Sequence, residues 1–323
     1  MAQHIEGLPN YASLVSALHE SEGDVGRTRA SYDALLDSFP LCYGYWKRFA
    51  DFEVAQVSSV ETGEHGIQSE DNDCILRANA VYERALVFGR YCVELWAYYG
   101  AHATKHWTQP EDVRSLFERG ARLVGSDYGA ECFWERYIAF ETRCAGDDYS
   151  RVFMCYRRLL QQPLRSLDAM WLRFQQLTVE RSCEEVLDAK AEADLQQQLE
   201  AAGLAPHRPL SMDVEDDGAR KLRLLPLLEA QFRRSKADHA DRLCWEAAIT
   251  RRHFHLKPLE DEALSRWHNY LDWEEARGNL PRLLLTYERC LVPCCMDAPT
   301  WMRYVRTLES RGMIEEARNA FQR

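Results

Sequence analysis

The sequence predicts an all-α fold, an α-solenoid in which antiparallel helix pairs stack side by side. Three observations carry that prediction. The first is an aromatic stripe. Trp267, Tyr270, Trp273 and Glu274 follow at i, i+3, i+6 and i+7, which lines the rings along one side of a helix. The design recurs at Trp46, Phe49, Phe52 and Glu53; at Trp96 and Tyr99; at Trp134, Tyr137, Phe140 and Glu141; at Trp171, Phe174 and Leu177; and at Trp301 and Tyr304. The second is a companion helix signature: Tyr82-Glu83-Arg84, Phe117-Glu118-Arg119, Tyr156-Arg157-Arg158, Tyr287-Glu288-Arg289 and Phe321-Gln322-Arg323. The third is spacing. The signature's aromatic lies 21, 22, 20 and 20 residues after Trp96, Trp134, Trp267 and Trp301. The tryptophans 46, 96, 134, 171, 267 and 301 are 50, 38, 37, 96 and 34 residues apart, so a period of about 34 to 38 is interrupted by two insertions. Two helices per period of this length make a solenoid, because one pair alone leaves its rings half in water.

Taken in order, Tyr11 to Leu18 and Val25 to Phe39 read as a first hairpin that lacks Trp, with Gly23 at the turn and Pro40 closing it. A terminal repeat that caps the stack is expected to be atypical. Phe39 to Glu53 starts the next helix behind Pro40. Val54 to Asp73, rich in Ser, Gly and acids and without apolar period, reads as a loop, and the partner helix resumes at Cys74 and ends near Gly89. Tyr91 to Gly125 is a compact hairpin whose second helix opens on Pro110, Glu111 and Asp112, residues suited to a helix N-terminus. Ala130 to Gln162 is the cleanest repeat, with Gly146 at its turn and Pro163 at its exit.

Leu167 to Glu180 begins a repeat whose partner is delayed. Ser182 and Glu185 form a capping box for one helix reaching about Ala202, followed by a Pro/Gly/acid linker to Gly218. A long helix from about Ala219 to Arg251 comes next, with Pro226 at its true first turn or at a kink. Its polar side carries Arg233, Arg234, Lys236, Arg242, Arg251 and Arg252, with Lys257 shortly after. It is either a solvated face or a docking surface for an acidic peptide or RNA. Gly278, Asn279 and Pro281 then break the Leu264–Cys290 stretch into a hairpin.

Composition narrows the function. With 46% hydrophobic and 28% charged residues the chain has ample core, and a formal charge of −11 argues against non-specific phosphate-backbone binding. The eleven cysteines include no C-x-x-C pair; Cys92, Cys132, Cys155 and Cys244 are expected as buried thiols in helices, which favours a reducing compartment. His102 and His106 stand at i, i+4 without an accompanying ligand, so no metal is expected. No G-x-S-x-G, phosphate loop, H-E-x-x-H or paired carboxylates appear, and Glu53, Glu141 and Glu274 are explained as repeat residues, so neither catalytic residues nor a cofactor site is expected. The absence of an apolar run of membrane length and of a signal-peptide pattern points to a cytosolic or nuclear protein, with no membrane partner.

Phe254 to Glu274, above all its Phe-His-x-Lys-Pro-Leu run, resembles the pre-mRNA-processing factor 39 family, whose members carry HAT (half-a-tetratricopeptide) repeats. Leu41-Cys42-Tyr43-Gly44-Tyr45-Trp46 and Tyr287-Glu288-Arg289-Cys290 with Cys294 are similar to that family's early and late motifs. The resemblance implies one HAT/TPR-like solenoid over 1–323 of about seven helix pairs, with insertions at 54–73 and 182–218. It also implies a nuclear splicing factor of the U1 small nuclear ribonucleoprotein that supports 5′ splice site selection as a scaffold. Such proteins pair as homodimers or with a related HAT protein through C-terminal repeats. As the chain stops at Phe321-Gln322-Arg323, most of that half is expected outside it.

Three functions compete. The first is an interaction scaffold in RNA processing, in U1 or in another assembly such as mRNA 3′-end cleavage. It offers the repeat cores Trp46, Phe49, Trp96, Tyr99, Trp134, Tyr137, Trp171, Phe174, Trp267, Tyr270, Trp301 and Tyr304 as structure. The second is direct RNA recognition through Arg233, Arg234, Arg251, Arg252 and Lys257, with Trp245 and Phe254 stacking on bases. Net charge weighs against it and favours an indirect or weak RNA contact. The third is a Cys/His enzyme, which would need a thiol and an imidazole in one pocket.

Overall fold

The computed structural model describes residues 10–56, 69–204 and 217–323. Among these, every regular element is an α-helix, and the fold is an all-α solenoid of helix pairs. In chain order they are α1 (Tyr11–Glu20), α2 (Val25–Ser38), α3 (Tyr43–Ala55), α4 (Ser69–Gly89), α5 (Val93–His106), α6 (Pro110–Val124), α7 (Glu131–Cys144) and α8 (Ser150–Leu160). There follow α9 (Leu167–Val179), α10 (Cys183–Val186), α11 (Ala189–Ala201), α12 (Asp217–Ala248), α13 (Asp261–Arg277), α14 (Leu280–Leu291), α15 (Ala298–Ser310) and α16 (Ile314–Gln322).

Local chemistry sets the boundaries. Asp24, Asp188 and Asp297 accept from the backbone N–H of Arg27, Ala191 and Thr300 at 3.0, 2.8 and 3.0 Å, satisfying donors that a helix start leaves orphaned. Gly146 and Gly278, at φ 53° and 71°, make the turns inside α7/α8 and α13/α14 in a left-handed conformation that a side chain would strain.

Three expected boundaries are corrected. The expected loop at 54–73 is shorter, because α3 runs through Ala55 and α4 already begins at Ser69; residues 57–68 lie outside the described ones, as do 205–216 of the expected linker. The expected single helix from Ser182 breaks after Val186. Ser182 caps only α10, and the Asp188 carboxylate starts α11 afresh. Finally, α12 passes through Pro226 without ending, and it stops at Ala248, so Arg251 and Arg252 leave its polar face.

The chain resolves into two compact units. Unit 1 comprises Met1–Tyr99, Arg251–Leu264 and Tyr287–Arg323; unit 2 comprises Gly100–Thr250 and Ser265–Thr286. In unit 1 the hairpins α1/α2, α3/α4 and α15/α16 pack along their lengths, and α2 packs on α3. In unit 2, α7 pairs with α8, α8 with α9, and the inserted α10 and α11 pack on α12. The delayed partner of α9 is α12: Trp171 stacks on Phe232 with centroids 4.7 Å apart at 11°.

The core is the aromatic stripe. Trp46, Trp96, Trp134 and Trp267 are fully buried, as are Phe49, Tyr99, Tyr137, Phe174, Tyr270 and Tyr304. Trp171 and Trp301 are half-buried. Trp134→Ala is expected to cost about 3–5 kcal/mol, the range for deleting a large buried ring, measured by denaturant unfolding; a loss well under 1 kcal/mol would place that ring outside the core.

Candidate functional site

The residues that recur along the chain form one repeated joint. The rings of the second-helix signatures at 82, 117, 156 and 287, and that of Tyr32 on α2, lie against the ring three residues after the next tryptophan. Tyr32 meets Phe49 at 4.8 Å and 6°, Tyr82 meets Tyr99 at 4.8 Å and 12°, and Phe117 meets Tyr137 at 4.8 Å and 4°. Tyr287 meets Tyr304 at 5.0 Å and 30°, and Tyr156 meets Phe174 at 5.9 Å, tilted by 53°. The glutamate beside the lower ring then receives the upper phenol. Tyr99, Tyr137 and Tyr304 donate to Glu83, Glu118 and Glu288 at 3.1, 2.7 and 2.9 Å. Arg158 and Arg323 close two of these joints from one signature further on, at 2.6 and 2.9 Å. Four of the repeat tryptophans also clamp the turn behind them: Trp46, Trp96, Trp134 and Trp301 donate Nε1 to the carbonyls of Pro40, Arg90, Gly125 and Cys295 at 2.8, 2.8, 2.9 and 3.0 Å.

The glutamates of the aromatic stripe are charge anchors. Glu53, Glu141 and Glu274, 2%, 1% and 1% exposed, accept bidentate arginines from the preceding helices: Arg29 at 2.7 and 2.8 Å, Arg114 at 2.7 and 2.9 Å, and Arg242 at 3.1 and 3.2 Å. Bidentate pairing is what permits carboxylates to be buried so deeply. Arg242 also meets Asp238, which holds Arg277 at 2.7 Å and Arg282 as well. Burial by itself would raise the Asp238 carboxyl, and the Arg282 and Arg242 guanidiniums reverse this and hold it below the usual aspartate range. Burial pushes Glu274 up, against Arg242.

One copy of the joint escapes motif reading. Trp245 stacks over Tyr270 at 6.2 Å and 3°, and Tyr270 donates to Glu246 at 2.9 Å. Trp245-Glu246 therefore plays the part of Tyr82-Glu83, and the only hint is the likeness of Trp-Glu-Ala-Ala-Ile to Tyr-Glu-Arg-Ala-Leu. The arginine clamps are also missed, since they reach back over 24, 27 and 32 residues with no fixed spacing.

The basic concentration is placed differently from its expected single helix face. Arg233 is exposed and paired with Glu229 at 2.6 Å; Lys236 is paired with Asp168 at 2.7 Å; Arg242 is buried; Arg234 is exposed. Arg251 is half-buried and donates to the Pro293 carbonyl at 3.3 Å, Arg252 is exposed, and Lys257 is exposed near Glu260 at 3.4 Å. The rings offered for base stacking are engaged within the fold, Trp245 with Tyr270 and Trp273, and Phe254 with Phe39.

The His102 and His106 rings lie 4.8 Å apart, tilted by 35°, and among the described residues no group of three or more His, Cys, Asp or Glu is gathered to hold a metal. Cys155 is buried as expected, but Cys92 and Cys132 are half-buried and Cys244 is exposed; on α12 it lies off the inward row of Arg242, Glu246 and Ile249. Burial, then the neighbouring Cys295, pushes the Cys42 thiol up to about 12, which keeps it protonated. A groove of ≈ 320 Å³ on α15 and α16 contains Cys295 and Arg323 beside Trp301, Met302 and Phe321; another of ≈ 210 Å³ lies among α8, α11 and α12. Neither sets a thiol beside an imidazole.

The profile of the PRP39 N-terminal HAT repeat matches residues 3–176, and that of the PRP39 C-terminal HAT repeat matches 240–323. The chain belongs to the PRP39 family. Among relatives, it is 30% identical over 317 residues to Pre-mRNA-processing factor 39 of Schizosaccharomyces pombe, covering 93% of this chain and 49% of that protein. It is 28% identical to Pre-mRNA-processing factor 39-2 of Arabidopsis thaliana, over 93% of this chain and 28% of that one, and 27% identical to Pre-mRNA-processing factor 39 of Xenopus laevis, over 94% and 47%. The chain thus spans about half or less of the length of these PRP39 relatives. Residues 177–239, between the two PRP39 matches, hold α10, α11 and most of α12.

Three outcomes follow from the joints. Tyr137→Phe is expected to cost about 1.5–3 kcal/mol, one hydrogen bond to a charged acceptor, and a double-mutant cycle with Glu118→Gln should show coupling. Arg242→Ala is expected to cost about 3–5 kcal/mol by stranding Glu274. Because the Asp238 carboxyl is depressed in the folded state, its stabilisation exists above the usual aspartate range and fades as pH falls through the folded value. The stability gap between wild type and Asp238→Asn should therefore narrow in acid, as read by urea unfolding across pH.

Proposed function

We propose that this chain acts in the nucleus as a non-enzymatic protein-interaction scaffold in pre-mRNA splicing, within the U1 small nuclear ribonucleoprotein and in support of 5′ splice site recognition. The supporting observation is that the repeats matched to PRP39 use their recurring aromatic, acidic and basic residues on one another. Glu53, Glu141 and Glu274 are spent on arginines, and Tyr99, Tyr137, Tyr270 and Tyr304 on glutamates. What remains for a partner is surface held at fixed separations. Several modest contacts on such a surface sum through effective concentration, which gives avidity without a strong single site. The partners on this reading are U1 proteins and a second HAT-repeat chain, either another copy or a relative.

RNA contact is indirect or weak on this reading. The formal charge is −11, and Arg233, Lys236 and Arg242 are already paired with acids. Immobilised chain incubated with nuclear extract is expected to retain U1 proteins, with retention that survives moderate salt. Recovery of 3′-end cleavage factors in place of U1 would overturn the assignment. Capture of RNA alone, lost steeply with salt and with Arg251→Glu and Arg252→Glu, would favour direct RNA recognition instead.

A further inference from the structure

Arg157 departs from the repeat that contains it. In Tyr82-Glu83, Phe117-Glu118, Trp245-Glu246 and Tyr287-Glu288 the residue beside the ring is a glutamate that accepts a phenol from the next helix. Tyr156 is followed by Arg157, and the ring that meets it, Phe174, has no hydroxyl to donate. The guanidinium is therefore released from the joint. Half-buried, it turns to the insertion, where Nη1 donates to the Val186 carbonyl at 2.5 Å. Among the described residues its other N–H groups have no hydrogen-bond or ion-pair partner. Burial holds Arg157 below the usual arginine range, against Asp188, whose carboxylate is already committed to the Ala191 N–H at 2.8 Å.

Arg157 lines the ≈ 210 Å³ groove among α8, α11 and α12. The apolar wall of that groove is Leu160, Leu187, Leu195 and Leu228, all buried. A second polar group borders the same space. Gln231 is 8% exposed and donates Nε2 to Ser235 Oγ at 3.3 Å, while the carbonyl end of its amide has no partner among the described residues. A buried amide left half satisfied costs free energy that a ligand N–H would recover.

A forked cation, a lone acceptor and an apolar wall match one chemical unit. The last residue of a peptide presents a carboxylate to the fork, an N–H to the Gln231 carbonyl and a side chain to the leucines. The volume lies below the roughly 300–1,000 Å³ of sites for drug-sized ligands and suits a single residue. A phosphate or a nucleic-acid strand fits poorly, since Arg157 is the one cation among the described lining residues and the exposed Asp194 shares the groove. We propose that this groove binds the carboxy terminus of a partner polypeptide that ends in an aliphatic residue, with Arg157 holding the carboxylate and Gln231 the last N–H. The site lies where the insertion meets a repeat, and it does not depend on the splicing reading.

The probe is the peptide acetyl-Gly-Leu-Leu with a free carboxylate, compared with the same peptide as its carboxamide. Each is titrated into the full chain and followed in methyl-labelled leucine NMR spectra. Wild type is expected to bind the acid at least about tenfold more tightly than the amide, the margin of a charge-assisted forked contact. In Arg157→Gln, which can still donate to Val186, acid and amide should bind alike. Gln231→Met should weaken the acid about tenfold and keep its advantage over the amide. Equal affinity of wild type for acid and amide, or no shift at Leu187, Leu195 and Leu228 with millimolar acid, would overturn the site. Tighter binding of the same peptide ending in phosphoserine would overturn the carboxylate assignment. Should Arg157→Gln fail to fold, Gln231→Met decides: acid affinity equal to wild type overturns the proposal, and the tenfold loss supports it.

Discussion

Everything in this chain depends on one contact, the face of a ring on a second helix against the face of a ring on the helix that follows it. An aromatic pair of this kind contributes roughly 0.5–1.5 kcal/mol beyond the area it buries. Its larger effect is geometric. Two rings 4.8 Å apart and nearly parallel, as in Tyr32–Phe49 and Phe117–Tyr137, fix the rotation of each helix about its axis. With rotation fixed, the phenol of Tyr137 arrives over Glu118 and the guanidinium of Arg114 over Glu141. The polar ladder is a consequence of the stack.

That order of dependence explains why a chain with 28% charged residues has so few charges to spend elsewhere along its repeat interfaces. Buried carboxylates are tolerated only when matched, and Glu53, Glu141 and Glu274 each take an arginine from a neighbouring helix. Asp238 takes three, Arg242, Arg277 and Arg282. Charge pairing is therefore directed inward, while Arg234 and Arg252 are exposed. The half-buried Arg251 belongs to the architecture of unit 1.

The insertion between the two PRP39 matches shows the same economy. Leu195, Leu199, Leu224 and Leu228 of α11 and α12 are buried, and Arg220 ties α12 to Glu184 and Glu192. Ser182 caps α10 by accepting from the Glu185 N–H at 3.4 Å, and a second cap at Asp188 restarts the helix two residues after the first one ends.

Much of the fold was legible in the sequence. Tryptophans at a period near 34 to 38, each followed by an aromatic three residues on, require stacked helix pairs, because no other arrangement covers both faces of every ring. Trp134, Trp267 and Tyr137 could be assigned to the core from spacing alone. Helix ends were less legible: Pro226 suits a first turn or a kink, and α12, which starts at Asp217, runs through it. Least legible were the pairings. Spacing within a helix is fixed by 3.6 residues per turn, but Arg29, Arg114 and Arg242 reach their glutamates across turns of differing length, so only the tertiary structure decides which charge meets which. The sequence by itself determined that rings would be stacked and by which helices. Which arginines are spent on that stack was decided by the packing, since a charge's role depends on neighbours that are distant in the chain.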